Sequence, residues 1–521
     1  MEFSNLNLEG WDRSKQIGLI VAPCGSGKTY SSVLNFSDWF NVDPGEILLL
    51  VPRKTIKDQT LGNKEYKDHC SELFNDFTGN DGRVKVSTVQ KIGSCFRNGI
   101  DIAKPGLVVV DEFHTLFGET DFADDLLYFQ QLLQSWIADP AVSVVAMTAT
   151  ATLPCDFVNR CLFPGLEWLY QDKGFGLPMA LVSSGLKPKY RVRKVQIEQA
   201  KALTTVLRAN PASADSKQVV FWRGSTEGMM RQSKSEGNST WLCSEYSPHA
   251  AKMNEDHLRY IQSGMLPPGI DRLYVSSAYR EGFNIVDPAI REVVISGVTD
   301  IDIVQSLGRV RHDLERCIVV VDERCYKIGG KVRKALNLKR SDDPKALEAY
   351  YKRQERQSGT GGGKVPILVY LDHRSNEYRF NDYALYKWLH ETYSFMAARK
   401  TVAEGETEYQ GRKVPKSEEY FASMLGSYCD EITFNQVKRG KKENVEAYNK
   451  EQLESFDWSA WIGEELYSGH GKEEFEQDIG LRNSDWSVKA VTGIHKLCPQ
   501  CFQKRRKQIK GKRETVYTVV G

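Results

Sequence analysis

At 521 residues the chain has room for about three to four domains of ordinary size. Hydrophobic residues at 41% and charged residues at 26% fit a globular protein with full cores, and no run of about 18 apolar residues is present to cross a membrane. A net charge of +2 creates no overall field for nucleic acid, so any such contact has to come from a local patch. The 11 cysteines are scattered, Cys317 among them inside an apolar run, and the opening MEFSNLNLEGWDRSK lacks a basic-then-apolar signal pattern. Reduced thiols and a cytoplasmic location (a host cell's, were the chain viral) are the expectation.

Along the first 150 residues, bare apolar runs alternate with longer helix-like stretches. The runs are IGLIVA from Ile17, EILLLV from Glu46, VKVST from Val84, LVVVDE from Leu107 and VSVVAM from Val142. Strands of this kind, bounded by Gly, Pro or Asp, predict a parallel sheet with helices on both faces. A second series follows: QVVFW from Gln218, RLYVSS from Arg272, EVVISG from Glu292 and CIVVVDE from Cys317. The expected fold is α/β, with two parallel-sheet lobes in tandem over 1–185 and 186–330. A helical segment and Gly-rich linker, ending in Ser358-Gly359-Thr360-Gly361-Gly362-Gly363, is expected over 331–365. The remainder, 366–521, reads as a mixed or helical accessory region with no clear strand alternation before its end.

Ala22-Pro23-Cys24-Gly25-Ser26-Gly27-Lys28-Thr29 follows the first strand and opens a helix. Gly25, Ser26 and Gly27 let backbone N–H groups turn inward around phosphates, with the helix N-terminus adding positive potential. Lys28 neutralises phosphate charge and Thr29 ligates Mg²⁺ in this reading. Ala22 stands where the general pattern has its first glycine. Asp111-Glu112-Phe113-His114 ends the LVVVDE strand, at the edge where parallel sheets collect ligands. Asp111 suits the metal, and Glu112 is placed to take a proton from an attacking water. On these residues ATP and Mg²⁺ are the expected cofactors.

APCGSGKT, DEFH and Thr148-Ala149-Thr150 resemble the first-lobe motifs of the superfamily 2 helicases, the DExH group. Pro52-Arg53-Lys54-Thr55 and Ser87-Thr88-Val89-Gln90 are similar to its two strand-gripping motifs. In the second lobe, SAYREGFNI (277–285) resembles the motif containing Gly and Asp, here Gly282 and Asn284. Gln305-Ser306-Leu307-Gly308-Arg309-Val310-Arg311 resembles the arginine-finger motif. The resemblance implies two RecA-like lobes closing on ATP. It implies Gln305, Arg309 and Arg311 in catalysis beside Lys28, Asp111 and Glu112, and Gly282 and Asn284 in nucleotide binding. It further implies Arg53, Lys54, Thr88 and Arg280 on nucleic acid, and His114, Thr148 and Thr150 as coupling residues. Two departures stand out: His312 occupies the family's last arginine position, and Asn284 replaces an acid. No adenine-reading glutamine motif precedes the cradle, where Gln16 and Arg13 are the candidates. QSLGRVR is also similar to a string in viral origin-binding helicases.

Near the end, the basic run from Lys504 through Arg505, Arg506 and Lys507 to Arg513 is followed by the β-branched ETVYTVV. A basic strand, a Gly-containing turn and a second strand predict a hairpin. With the helix-like SVKAV at 487–491 before it, the reading is a winged helix with its wing on phosphates, set against a merely solvated basic tail. His495, Cys498 and Cys501 make one H-x-x-C-x-x-C, read as core or turn cysteines rather than zinc ligands, because a fourth ligand is missing nearby. The expected function is an ATP-dependent helicase or translocase on DNA, single-stranded and at a fork or duplex, in replication or recombination. An RNA helicase and an ATP-hydrolysing origin-binding or remodelling switch are the alternatives. No membrane partner is expected.

Overall fold

The structure is a computed structural model. It describes residues 10–73, 81–159, 179–183, 187–199, 202–277, 283–322, 329–359, 366–400 and 405–435, apart from 101, 103, 122, 245–246 and 342. In the last part it describes 458–467, 498–509 and 512–520, with residues 6, 8, 453, 456, 475 and 479.

The first lobe is a seven-stranded sheet. Its strands are β1 (Ile17–Val21), β2 (Ile47–Val51), β3 (Cys70–Glu72), β4 (Val84–Thr88), β5 (Leu107–Val110), β6 (Ser143–Thr148) and β7 (Met179–Ser183). They lie in the order β3-β4-β2-β5-β6-β1-β7, with parallel pairings throughout. Alternate side chains go to opposite faces, as the strand period demands. Leu48, Leu50, Val108, Val110 and Val144 enter one core, while Leu49, Val109, Val145 and Met147 enter the other. Two buried faces explain why the runs are apolar without alternation.

The second lobe begins with β8 (Val192–Gln199), β9 (Lys217–Trp222), β10 (Ser239–Leu242), β11 (Arg272–Ser276), β12 (Ile290–Ser296) and β13 (Leu314–Val321). The chain then leaves the lobe. Helices Gly329–Ser341 and Pro344–Gly359 precede a hairpin of β14 (Val369–Asp372) and β15 (Glu377–Phe380). The long helix Asp382–Arg399, a second hairpin of β16 (Thr407–Tyr409) and β17 (Arg412–Val414), and helix Ser417–Leu425 follow. Only then does β18 (Cys429–Asn435) pair in parallel with β8 and complete a seven-stranded sheet, ordered β10-β11-β9-β12-β13-β8-β18. Counted within its own lobe, each sheet therefore has the same strand order.

This corrects the reading of 366–521 as one accessory region, and of the second lobe as ending near 330. The segment between β13 and β18 is an insertion into the second lobe that packs back across the first. Val332, Leu336, Leu368, Tyr383, Trp388 and Leu389 join the first lobe's core. Phe395, Ala398, Phe421 and Leu425 join the second lobe's core. Helix Asp382–Arg399 thus spans both lobes. Gln354 Nε2, buried, donates to Val369 O at 3.0 Å and ties the helical segment to β14. Ser358 and Gly359, expected in a linker, belong to the last turn of helix Pro344–Gly359, while 360–363 lie outside the described residues.

The expected terminal hairpin is present. β20 (Phe502–Ile509) and β21 (Lys512–Val519) pair antiparallel, with β19 (Glu465–Leu466) on the far side of β21. Trp461, Phe475, Phe502, Tyr517 and Val519 form a small separate core beneath it. The Arg231 guanidinium of the second lobe lies 3.8 Å from the Trp461 ring centroid, docking this unit. The stretch 487–491, needed for a winged helix, lies outside the described residues, as does His495. Cys498 and Cys501 sit at the hairpin's base with their sulfurs 2.9 Å apart, and Cys501 is buried in the small core. Among the described residues no helix is long and apolar enough to cross a membrane, and no cluster suited to a metal ion of three or more His, Cys, Asp or Glu is found.

Candidate active site

The phosphate loop leaves β1 with Gly25 at φ +76° and Gly27 at φ +88°, both in the left-handed region that glycine adopts freely. Gly27 caps helix Lys28–Leu34. Lys28 is buried at the loop's base, and its Nζ donates to Ala22 O at 3.0 Å and Pro23 O at 3.2 Å. Ala22, only 1% exposed, is packed against the core under the loop, so a small residue is required there. Ser26 Oγ is buried with no hydrogen-bond partner among the described residues.

Asp111 and Glu112 follow β5 on the same sheet edge. Thr29 Oγ1 donates to Asp111 Oδ2 at 2.9 Å, and the Glu112 amide donates to Asp111 Oδ1 at 2.9 Å. A hydroxyl and a carboxylate side by side are hard oxygen donors, so Thr29 and Asp111 fit Mg²⁺. Burial, and then the neighbouring Glu112 carboxylate, push the Asp111 carboxyl above its ordinary range. A cation beside it would relieve both. Glu112 has φ +47°, a left-handed backbone that costs a side-chain-bearing residue on the order of 1–3 kcal/mol. The strain is spent in aiming the carboxylate across the cleft.

Across the cleft stands helix Asp300–Leu307, started by a capping box of Thr299 and Asp302. Its Gln305 Nε2 donates to Glu112 Oε2 at 3.1 Å, with Thr150 Oγ1 at 3.4 Å. Gln305 Oε1 accepts from Cys24 Sγ at 3.4 Å and from Arg309 Nη2 at 3.2 Å. Arg309 Nη2 lies 3.7 Å from Glu112 Oε1. Arg311 donates through Nε and Nη2 to Asn284 Oδ1 at 2.9 and 2.6 Å. Arg309 Nε and Arg311 Nη1 are buried with no hydrogen-bond partner among the described residues. Arg309 and Arg311 both line the cavity, and unpaired guanidinium donors there suit an anion such as a nucleoside triphosphate. His312 Nε2 instead lies 2.7 Å from Ile290 O within the second lobe, so Arg311 and not His312 faces the cleft.

The lobes approach closely here. A Cβ on Gly308 would stand 2.4 Å from Cys24 Cβ, so glycine is required where the finger helix ends. His114, Thr148 and Thr150 also come together. His114 Nδ1 is 3.0 Å from Thr148 Oγ1 and 3.5 Å from Glu112 Oε2, and Thr148 Oγ1 accepts from the Thr150 amide at 3.0 Å. The expected coupling residues are thus one buried network touching Gln305.

The resulting cavity, about 640 Å³, is lined by Lys28, Thr29, Asp111, Glu112, Arg309 and Arg311, among others. Asn284 lines it too, while Gly282 and Arg280 lie outside the described residues. The expected strand-gripping residues stand away from it. Arg53 is ion-paired with Glu119. Lys54 is exposed in the first turn of helix Lys54–Gly62, and Thr88 caps helix Val89–Arg97, its Oγ1 accepting from Lys91 N at 3.2 Å. Lys504, Arg505 and Arg506 are exposed on β20. Gln16 and Arg13 are occupied elsewhere. Gln16 Oε1 accepts from Asp12 N at 3.2 Å, while Arg13 donates to Phe40 O at 3.1 Å and covers the Trp11 ring. Sequence reasoning missed Cys24 as a lobe contact and Tyr30 and Tyr66 as cavity walls. No local pattern marks the first, but an aromatic directly after Lys28-Thr29 was visible.

Residues 2–153 match the family described as type III restriction enzyme, res subunit. No curated protein matches the sequence. Among solved structures, S. cerevisiae Dbp5 bound to RNA and ADP BeF3 is similar at 13% identity and a TM-score of 0.39, over 61% of this chain and 83% of that one. The DUF1998 helicase MrfA bound to DNA is similar at 16% identity and a TM-score of 0.37, over 58% of this chain and 44% of that one. The family match falls on the lobe that carries the phosphate loop and DEFH, and so covers the first of the two lobes.

Proposed function

We propose that the chain is an ATP-driven translocase that unwinds or remodels DNA, in a replication or recombination setting. The bond from Gln305 to Glu112 carries this reading, because the hydrolytic base of one lobe is held by an amide of the other. Lys28 and the arginines relieve charge on the phosphoryl oxygens, and Glu112 takes the proton of the attacking water. Mg²⁺, held by Thr29 and Asp111, would supply further charge relief on the same oxygens. Hydrolysis then requires the closed lobes, and loss of phosphate removes one of the bridges between them. If each lobe grips a strand, the cycle moves one grip past the other.

The N-termini of helices Lys54–Gly62 and Val89–Arg97 follow β2 and β4 on the edge where Asp111 lies, and positive helix ends suit phosphates. The family that matches the first lobe is described as a restriction enzyme's, which favours DNA over RNA. The test is unwinding of matched forked DNA and RNA duplexes with ATP hydrolysis recorded in parallel. DNA unwinding with stimulated hydrolysis supports the proposal. Unwinding of RNA alone overturns the substrate, and hydrolysis without any unwinding replaces the translocase with a switch.

A further inference from the structure

The cavity does not end at the phosphates. Beyond Thr29 it continues along a wall that includes Tyr30, Ile56 and Tyr66. Tyr30 directly follows Thr29 on helix Lys28–Leu34 and is 42% exposed, unusual for so large a ring. Tyr66, 8% exposed, meets it edge to face, with centroids 6.2 Å apart at 79°. That contact fixes the Tyr30 ring from one side, and its exposure leaves ring surface open toward the cavity. The polar residues expected to read a base, Gln16 and Arg13, are hydrogen-bonded elsewhere and do not line the cavity.

We infer that Tyr30, braced by Tyr66, is the shelf on which the nucleobase of the bound nucleotide stacks. The inference rests on the ATP-site reading and adds what that site does with the base. A tyrosine face recognises a flat π-system and not a particular hydrogen-bonding edge, because every base has such a face. On the same wall, Asn63 Oδ1 is committed to the Glu65 amide at 2.9 Å, so one of the nearby acceptors is already spent on its own loop. Stacking on Tyr30 by itself therefore discriminates weakly between ATP and GTP. An ordinary packing tyrosine would have no such consequence, since its loss would not depend on whether the ligand has a base.

The test is calorimetric binding to the full-length chain of ADP, GDP and inorganic tripolyphosphate, with Tyr30→Ala and Tyr30→Trp variants. Tyr30 is half exposed, so neither change strips a core. Base–aromatic stacking is worth on the order of 5- to 150-fold in affinity, and Tyr30→Ala is expected to lose that for ADP. Its tripolyphosphate affinity should stay within about twofold of wild type, Tyr30→Trp should restore ADP binding, and wild-type GDP affinity should lie within about tenfold of ADP. Unchanged ADP affinity in Tyr30→Ala overturns the shelf, as does an equal loss for ADP and tripolyphosphate. A wild-type chain that binds tripolyphosphate but not ADP also overturns it. Failure to bind either ligand would overturn the ATP site itself and the shelf with it.

Discussion

Gln305 Nε2 donates to Glu112 Oε2 at 3.1 Å across 193 residues of sequence, and no other side-chain amide of the second lobe is seen to reach a first-lobe carboxylate among the described residues. Its other end accepts from Arg309 and Cys24, so one side chain joins the base, the finger and the phosphate loop. A hydrogen bond to a charged group is worth about 1.5–3 kcal/mol. Gln305→Ala is therefore expected to lower kcat by roughly 10- to 150-fold while ADP affinity stays near wild type. An unchanged kcat with stimulated hydrolysis intact would separate this bond from the cycle.

Glu112→Gln keeps the shape and removes the basicity. General-base catalysis contributes about 10²–10⁴ in rate, and turnover should fall by that factor while ATP is still bound. Lys28→Ala should instead lose nucleotide affinity, because Lys28 stands at the base of the cradle. Turnover by Glu112→Gln within a few-fold of wild type would move the base elsewhere.

Much of this was readable in the chain. Bare runs such as LVVVDE could only be buried strands, and each first-lobe run expected as a strand is one. Short or less apolar strands were not readable. β3, Cys70–Glu72, is too brief, and β10, STWL, is partly polar. β18 was missed for a different reason. CDEITFN is polar enough for an edge, and its partner β8 lies more than two hundred residues earlier, so nothing local announces the pairing. The site shows the same division. GSGKT and DEFH are local motifs, but the Gln305–Glu112 bond and the Cys24–Gly308 contact exist only once the lobes meet. His312 raised a question that only geometry answered, by turning toward Ile290.

Arg309 and Arg311 should differ. Arg309 is buried beside Glu112, whereas Arg311 is held by Asn284. An arginine finger is worth about 10³–10⁵ in rate, and Arg309→Ala should lose that in kcat with little change in KM. Arg311→Ala should mainly raise KM, and Asn284→Ala should reproduce part of it. Equal and small effects in both arginine variants would remove the finger from this helix.

The inserted helix Asp382–Arg399 should set the stability of the paired lobes. Arg223 Nη1 lies 2.7 Å from Asp302 Oδ2, and its Nη2 lies 3.0 Å from Glu391 Oε2 on that helix. Asp302 also caps the helix that carries Gln305. Removing one partner of a largely buried ion pair costs about 3–5 kcal/mol because the other charge is left uncompensated. Arg223→Ala should lower the urea midpoint of full-length protein accordingly. Arg223→Ala, Glu391→Gln and the double variant form a cycle, and strict additivity would show that the two side chains are not coupled.

The basic hairpin should bind nucleic acid with one face. On β20, Arg505 and Lys507 project to the side where Glu465 stands. Lys507 Nζ lies 3.0 Å from Glu465 Oε2, and Arg505 is bonded to the same carboxylate. Lys504 and Arg506 project to the opposite side, opposite Tyr517 and Thr515. Lys504 Nζ lies 5.8 Å from the Tyr517 ring centroid, and no carboxylate is seen to pair with either cation among the described residues. Each phosphate neutralised releases counterions, so the log of affinity falls with log salt by about 0.9 per duplex contact. Lys504→Ala with Arg506→Ala should therefore flatten the salt slope of forked-DNA binding by roughly two and reduce unwinding, with basal hydrolysis retained. Arg505→Ala with Lys507→Ala should do less, because Glu465 already offsets those charges. Deleting everything after Leu497 is the weaker experiment, since it removes Phe502, Tyr517 and Val519 from the small core and confounds binding with folding. Point substitutions leave that core intact. Superimposable slopes for wild type and both double variants would reduce the hairpin to a solvated basic tail.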